Sequence, residues 1–368
     1  MKNDMRSKRV LVAMSGGVDS SVAAALLLEQ GYDVIGVTMK TYDFDDVGGN
    51  VANESSCCGL GAVHDARLVA SKLGIPHYVI DFRKEFGNHV VDYFVGEYFK
   101  GRTPNPCVMC NRDIKWGELL KKADVLGADY IATGHYARLR YDASRSRYVI
   151  SRAIFIQKDQ SYALWAVPQD GLNRTLFPLG EKSKPEVREI AQGLGLRTAN
   201  KEESYEICFV ADNDYSRFLK ERADRANIDI LDGNIVRDGR VVGTHHGYPF
   251  YTIGQRKGIG AYGRRMYVTE IQAESNTIHI GEEKELLHST LFACQTNWVN
   301  PPQDGSSIRA GVMVRYKDSP EPATIFLESG RTRVVFDRPK RAITPGQSVV
   351  FYDNEDLIGG GIIEGISD

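Results

Sequence analysis

Charge of one sign is scarce in this sequence: 46 basic against 48 acidic residues leave a formal net charge of −2 over 368 residues. A chain so balanced is not a general polycationic coat for nucleic acid, so any phosphate or RNA contact has to come from a local patch. Cysteine is also sparse, six in all, placed as Cys57-Cys58, Cys107, Cys110, Cys208 and Cys294. That scatter is not the stapling lattice of a small secreted domain, and in a reducing compartment such thiols are inert, metal-binding or catalytic. Long apolar runs are absent too. The longest, Val22 to Leu28, falls far short of the roughly 20 residues a membrane helix needs, and no secretory apolar core precedes Ser15-Gly16-Gly17. A soluble, cytoplasmic protein that does not enter a membrane is therefore expected.

What the chain does have is length and 42% hydrophobic residues, enough for two or three cores. Arg9 to Met14 reads as a buried strand, Ser20 to Gln30 as a helix closed by Gly31, and Asp33 to Met39 as a second strand. The cycle recurs with a helix over Ala62 to Leu73, an extended Pro76 to Asp81, a helix over Trp116 to Leu126 and a strand over Asp129 to Thr133. Such alternation predicts parallel βαβ units, an α/β domain over residues 1–208. Thr41 to Ser56, rich in Asp, Asn and Gly, reads as an exposed loop. Residues 209–288 mix one helix, Tyr215 to Ala223, with turn-rich strands and are expected to form a small central domain. Residues 289–368 carry short alternating runs, Ile308 to Tyr316, Thr324 to Glu328, Arg333 to Asp337 and Ser348 to Tyr352, the pattern of a small β-barrel.

Ser15-Gly16-Gly17-Val18-Asp19-Ser20 lies between the first strand and the first helix. There, backbone N–H groups and a helix N-terminus favour an anion, the glycines allow close approach, and Ser15 and Ser20 can donate hydroxyls. The loop lacks the lysine of G-x-x-x-x-G-K-[ST], so it does not offer the clamp of kinases and GTPases. Asp19 is expected to start the helix or to act as an acid on the magnesium side. A second glycine pattern, Gly258-x-Gly260-x-x-Gly263, follows polar residues, opens no helix and is not read as a dinucleotide site. The hexapeptide resembles the signature of the PP-loop ATP pyrophosphatases, which transfer AMP from ATP to a substrate oxygen and release pyrophosphate.

Thr103-Pro104-Asn105-Pro106-Cys107-Val108-Met109-Cys110-Asn111-Arg112 reads as a proline-set loop presenting two thiols just before a helix beginning near Ile114. A helix N-terminus together with Arg112 and Lys115 favours the thiolate needed for nucleophilic or persulfide chemistry. Cys208 is expected in a short extended apolar run, Ser204 to Phe209. Two thiols distant in sequence can pass sulfur, one carrying a persulfide and the other resolving it as a disulfide. Structural zinc would need two more ligands at finger spacing, which the sequence does not supply. An iron-sulfur cluster on Cys107, Cys110 and Cys208 is the stronger rival. Cys57, Cys58 and Cys294 are expected to pack.

SGGVDS, TPNPCVMCNR, Gly134-His135, Lys158-Asp159-Gln160-Ser161-Tyr162, Cys208 and Thr252-Ile253-Gly254-Gln255-Arg256-Lys257-Gly258 follow one another over nearly the whole chain. In that order they resemble the tRNA-specific 2-thiouridylase family. The resemblance implies a PP-loop, adenine nucleotide alpha hydrolase-like domain, a small central domain and a C-terminal β-barrel. It implies ATP binding, with Mg2+, by Ala13, Met14, Ser15, Gly16, Gly17, Val18, Asp19, Ser20, Met39 and Gly134. Cys110 would be the nucleophilic or resolving cysteine and Cys208 the persulfide carrier. Asn105, Pro106 and Cys107 would face the target base, while His135, Lys158, Asp159, Gln160, Arg315, Tyr316 and Gln347 would contact tRNA. Some relatives carry Asp where this chain has Cys107, which leaves open whether that thiol shares the chemistry. The expected partners are tRNA, through its wobble uridine, and a protein that donates persulfide sulfur, with the chain itself a monomer.

Two basic segments support an RNA surface. Arg138 to Lys158 holds six basic residues against one acid, and Thr252 to Tyr267 holds four against none beside Tyr262 and Tyr267. Either could equally be a solvated face. Two other functions compete: a PP-loop amide-forming ligase in which the cysteines merely pack, and an RNA-binding protein whose nucleotide loop is only a switch.

Overall fold

A computed structural model describes residues 7–43, 60–201, 207–210, 212–303, 305–328 and 330–367. Beyond Asp43, the stretch expected as an exposed loop lies outside the described residues, as do Cys57 and Cys58. The chain divides into two compact units that do not follow chain order. One comprises residues 1–90, 107–213 and 355–357; the other comprises residues 91–106, 214–354 and 358–368.

The first unit is built on a five-stranded parallel sheet. β1 (Arg9–Ala13) is followed by α1 (Val18–Glu29), β2 (Asp33–Lys40), α2 (Leu60–Leu73) and β3 (His77–Asp81). Across the sheet the order is β3, β2, β1, Tyr130–Ala132, Thr175–Leu176, every pairing parallel. β1 thus has β2 on one side and the later strand Tyr130–Ala132 on the other, so the chain reverses its direction of winding at the carboxyl end of β1. Ligands of open parallel sheets bind at such a switch point. β1 is buried through Val10, Leu11 and Val12, and α1 buries Val22, Ala23, Ala24 and Leu27 against it, each large side chain contributing about 1.5–3 kcal/mol. A hairpin, Ala137–Asp142 with Arg147–Arg152, completes the unit and pairs through Ser151 with Asp356.

The second unit contains a four-stranded sheet in the order Tyr267–Gln272, Thr277–Gly281, Gly233–Arg237, Arg240–His245, together with the helix Tyr215–Arg225. It also contains a closed six-stranded barrel: Leu287–Trp298, Arg331–Arg341, Glu321–Glu328, Ser307–Met313, Ser348–Asp353 and Asp356–Ser367, whose last strand pairs with the first. Alternate residues such as Leu291, Ala293, Val312, Ile325, Val334 and Phe351 fill its interior.

Candidate active site

The phosphate loop takes its shape from two close approaches. Gly16 has φ +68°, and a Cβ there would stand 2.2 Å from the carbonyl oxygen of Ala62 at the start of α2. A Cβ on Gly134 would stand 2.8 Å from the amide nitrogen of Ser20. Both positions therefore bring backbone against backbone at the switch point, and only glycine fits. Met14 donates its N–H to Val37 O, the Ser15 amide donates to Ser20 Oγ at 3.1 Å, and Gly17 caps α1. Met39, half-buried, stands in register with Ile80 on β3.

The lysine missing from the loop arrives from elsewhere in the chain. Lys184 Nζ lies 2.7 Å and 2.9 Å from the two carboxylate oxygens of Asp19, and Tyr136 donates its hydroxyl to Asp19 Oδ1 at 2.7 Å. The Lys184 side chain is only 9% exposed, and its ammonium also lies 5.8 Å from the centre of the Tyr136 ring. On the loop's other side Lys201 Nζ donates to Gly16 O at 3.1 Å and to Asp65 Oδ2 at 2.7 Å, while Arg197 pairs with the second oxygen of Asp65. Two ammonium groups, each paired to a carboxylate, thus flank a glycine loop at a helix N-terminus, an arrangement chemically suited to a phosphate. Lys184, Lys201 and Tyr136 were not singled out from the sequence. One signal was there: Ser183 and Glu186 form a capping box, which puts Lys184 in the first helical turn, where the helix dipole disfavours a cation. A local conflict of that kind marks a site.

The thiol segment is helical earlier than expected. The helix opens at Pro106, runs to Met109 and passes into a π-helical stretch, Cys110–Glu118, before Leu119–Val125. Both thiols sit inside the helix, one turn apart, rather than on a loop before it. Proline is suited to a first helical position, since the amide it lacks has no partner there in any case. Cys107 is exposed and Cys110 half-buried. Buried Asn111 donates to Ala163 O at 2.8 Å and accepts from Lys115 Nζ at 2.9 Å. Lys115 Nζ also lies 3.4 Å from His135 Nε2, while Thr133 Oγ1 lies 2.7 Å from His135 Nδ1. An ammonium can only donate, so Nε2 accepts and Nδ1 carries the proton towards Thr133. Burial, then the Lys115 charge, holds the imidazole well below its ordinary pKa, so it is neutral. Trp116 and Phe177 pack beside it, their ring centres 5.9 Å and 6.2 Å away.

Cys208 is half-buried and occupies a turn, not an extended run: Val210 donates its N–H to Ile207 O, and Phe209 packs edge-on against Phe86 at 5.7 Å. A short apolar run is ambiguous by periodicity, and here it forms a turn with Phe209 buried. Residues 204–206 lie outside the described residues. Cys294 lies on the barrel strand Leu287–Trp298, half-buried, with its thiol pKa raised by burial.

Among the residues expected to meet tRNA, Asp159 has a side chain only 4% exposed. It accepts from the Ala153 and Ser161 amides, Ser161 Oγ and Arg152 Nε, so it shapes its turn. Gln160 accepts from the Tyr136 amide. Lys158 is half-buried, Tyr316 is 42% exposed, and Arg315 donates to Arg341 O. Gln347 donates its amide to the Thr103 and Pro104 carbonyls at 3.1 Å each. The basic character of the hairpin is largely neutralised within the first unit, where Arg138 pairs with Glu355, Arg140 with Asp142 and Asp356, and Arg152 with Asp159. By contrast Arg256, Lys257 and Arg265 are exposed and make no ion pair among the described residues. The glycines at 258, 260 and 263 all have positive φ in turns, and no helix follows them.

The fold and loop define the class: residues 8–212 match the family described as the tRNA methyl transferase HUP domain. Residues 216–282 match its PRC-barrel domain, and residues 288–363 match the aminomethyltransferase beta-barrel domain. Over nearly its whole length the chain is similar to proteins named tRNA-specific 2-thiouridylase MnmA. It is 53% identical to that of Salinibacter ruber over 96% of this chain and 94% of the relative. It is 51% identical to that of Carboxydothermus hydrogenoformans over 97% and 98%, and 50% identical to that of Amoebophilus asiaticus over 98% and 96%. The chain belongs to the tRNA-specific 2-thiouridylase family.

Proposed function

We propose that this chain is an ATP-dependent tRNA sulfurtransferase that replaces the C2 oxygen of the wobble uridine by sulfur. The observation that carries the reading is a phosphate loop flanked by Lys184 and Lys201 in the same unit as Cys107, Cys110 and Cys208. Full-length relatives named for 2-thiouridylation support it.

In this reading Ala13 to Ser20, Met39 and Gly134 hold ATP. Lys184, kept beside Asp19, offsets charge on the departing pyrophosphate. Uridine O2 attacks the α-phosphorus, the Pα–O bond to pyrophosphate breaks, and O2 becomes a good leaving group. The outer sulfur of a Cys208 persulfide then bonds to C2 and AMP departs. The Cys110 thiolate attacks Cys208 Sγ, breaking the S–S bond and leaving the thiocarbonyl on the base. The resulting Cys110–Cys208 disulfide needs two electrons from an external thiol to reset. Mg2+ would enter with the triphosphate and neutralise its charge. Among the described residues no three His, Cys, Asp or Glu side chains gather as metal ligands, and Asp19 is engaged by Lys184 and Tyr136, so no step here is assigned to the ion.

Reaching O2 and C2 requires the uridine to be unpaired and turned into the site, as an anticodon base can be. Asn105, Pro106 and Cys107 would face it. His135, Lys158 to Gln160, Arg315 and Tyr316 would lie on the tRNA path. The sulfur would come from a persulfide-bearing donor protein, and the chain would act as a cytoplasmic monomer with domain boundaries near residues 208 and 288. Among the described residues no helix is long and apolar enough to cross a membrane. The test is incubation with ATP, tRNA and a persulfide donor. The reading predicts tRNA-stimulated pyrophosphate release and 2-thiouridine in the nuclease digest. A ligase would release pyrophosphate without regard to tRNA, and a nucleotide-switched binder would yield no thiolated nucleoside.

A further inference from the structure

The segment that leads into the thiol helix is fastened from the barrel. Pro104 and Pro106 remove two of the four backbone donors of Thr103-Pro104-Asn105-Pro106, so the segment has few hydrogen bonds of its own to give, and within the second unit a barrel loop supplies partners for its carbonyls. Gln347 Nε2 lies 3.1 Å from both the Thr103 and the Pro104 oxygens, using both amide hydrogens on successive carbonyls. Thr103 returns its own N–H to Pro345 O at 2.9 Å. Between these contacts Gly346 has φ +91°, and a Cβ there would stand 2.9 Å from Thr103 O, so the barrel loop approaches as closely as backbone allows. The loop is itself pinned to the barrel, since Gly346 donates to Ile363 O and Gln347 accepts from the Ile363 N–H, both at 2.8 Å. Arg102 donates to that same Ile363 oxygen at 3.1 Å while its Nε meets Glu97 at 2.7 Å.

We infer that Gln347 is a positioning residue: it fastens the base-facing segment to the barrel and thereby sets where Cys107, three residues beyond Pro104, is presented. This rests on the proposed role of Asn105 to Cys107 at the target base. It differs from the role expected from sequence, in which Gln347 touches the tRNA. The amide suits the task because it offers two donors at one nitrogen; a carboxylate of the same length would aim oxygens at oxygens.

The experiment compares full-length wild type with Gln347→Ala, Gln347→Glu and Gln347→Lys. It measures tRNA affinity by filter binding, single-turnover thiolation at saturating tRNA, and the alkylation rate of Cys107 by iodoacetamide without tRNA, read by peptide mass spectrometry. Loss of two hydrogen bonds and a small displacement of the segment predict thiolation about 10- to 100-fold slower in the Ala and Glu variants. Cys107 alkylation should change at least about threefold, with tRNA affinity held within about twofold. The Lys variant, which restores a donor, should recover most of both rates. The inference is overturned if Ala and Glu weaken tRNA binding tenfold or more while Cys107 reactivity stays at the wild-type value, and equally if neither rate moves. Should the Ala variant not fold, the Glu variant, equal to glutamine in length without its donors, and the Lys variant, one bond longer with donors, decide alone. Because the alkylation readout needs no turnover, a wild type inactive in thiolation would count against the proposed function and leave this inference to the thiol data.

Discussion

The glycine loop Ser15 to Ser20 and the proline segment Thr103 to Pro106 are held in place by different means. The loop is placed by backbone close approaches within its own unit, Gly16 against Ala62 and Ser20 against Gly134, with Lys184 and Lys201 of the same unit beside it. The segment Thr103 to Pro106, left with two backbone donors by its prolines, is fastened by a barrel loop more than two hundred residues later in the chain. A turn rich in glycine is placed by backbone meeting backbone; one rich in proline, short of donors, is fastened by a side-chain amide. Substitutions at the loop should therefore report on nucleotide chemistry, and substitutions at the segment's supports on presentation of thiol and base.

The largest separation should come from Lys184→Met. If Lys184 offsets charge on the departing pyrophosphate, as proposed, removing it is expected to slow tRNA-stimulated pyrophosphate release about 10²-fold, while Cys107 alkylation without tRNA stays at the wild-type rate. Gly134→Ala comes next. Its Cβ would press on the Ser20 amide and displace the start of α1, and a cost of about 1–2 kcal/mol corresponds to roughly tenfold weaker ATP binding by equilibrium dialysis.

A smaller effect concerns pH. The His135 pKa is depressed in the folded chain, so the unfolded chain binds more protons once the pH falls below the ordinary value of 6.5. The stability due to neutral His135 is fully present above that value and is lost as the pH falls towards the folded pKa. His135→Gln should flatten the acid limb of the urea-midpoint profile below pH 6.5 and leave the profile above it parallel to wild type. His77 and His245, also depressed mainly by burial, should keep part of the slope. The smallest effects distinguish the two basic segments. Reversing Arg256, Lys257 or Arg265 singly should reduce the salt dependence of tRNA binding by about one phosphate contact each. Reversing Arg138 or Arg140 should leave that slope within error, because their charge is already matched by Glu355, Asp142 and Asp356.

Much of this could be read from the sequence, for identifiable reasons. The βαβ alternation, the loop and the barrel rest on local periodicity and turn chemistry, and the elements fell within a few residues of where those rules put them. The thiol helix starts earlier than expected because proline was read as a breaker when, as a first residue, it is a starter. Its π-helical stretch, which buries Asn111, Ile114 and Trp116, is encoded by no short pattern. Lys184, the barrel clamp and the hairpin's pairing with Glu355 and Asp356 stayed hidden because each joins residues more than 140 positions apart.

The central claim is that nucleotide activation and sulfur delivery are separate acts of one site, the first belonging to the loop and the second to Cys208. Quench-flow of Cys208→Ser with α-labelled ATP and tRNA tests it most directly. The account predicts that tRNA-dependent pyrophosphate release persists and AMP-bearing tRNA accumulates, with 2-thiouridine reduced by about 10³-fold or more. Thiolation at the wild-type rate in that variant would contradict it.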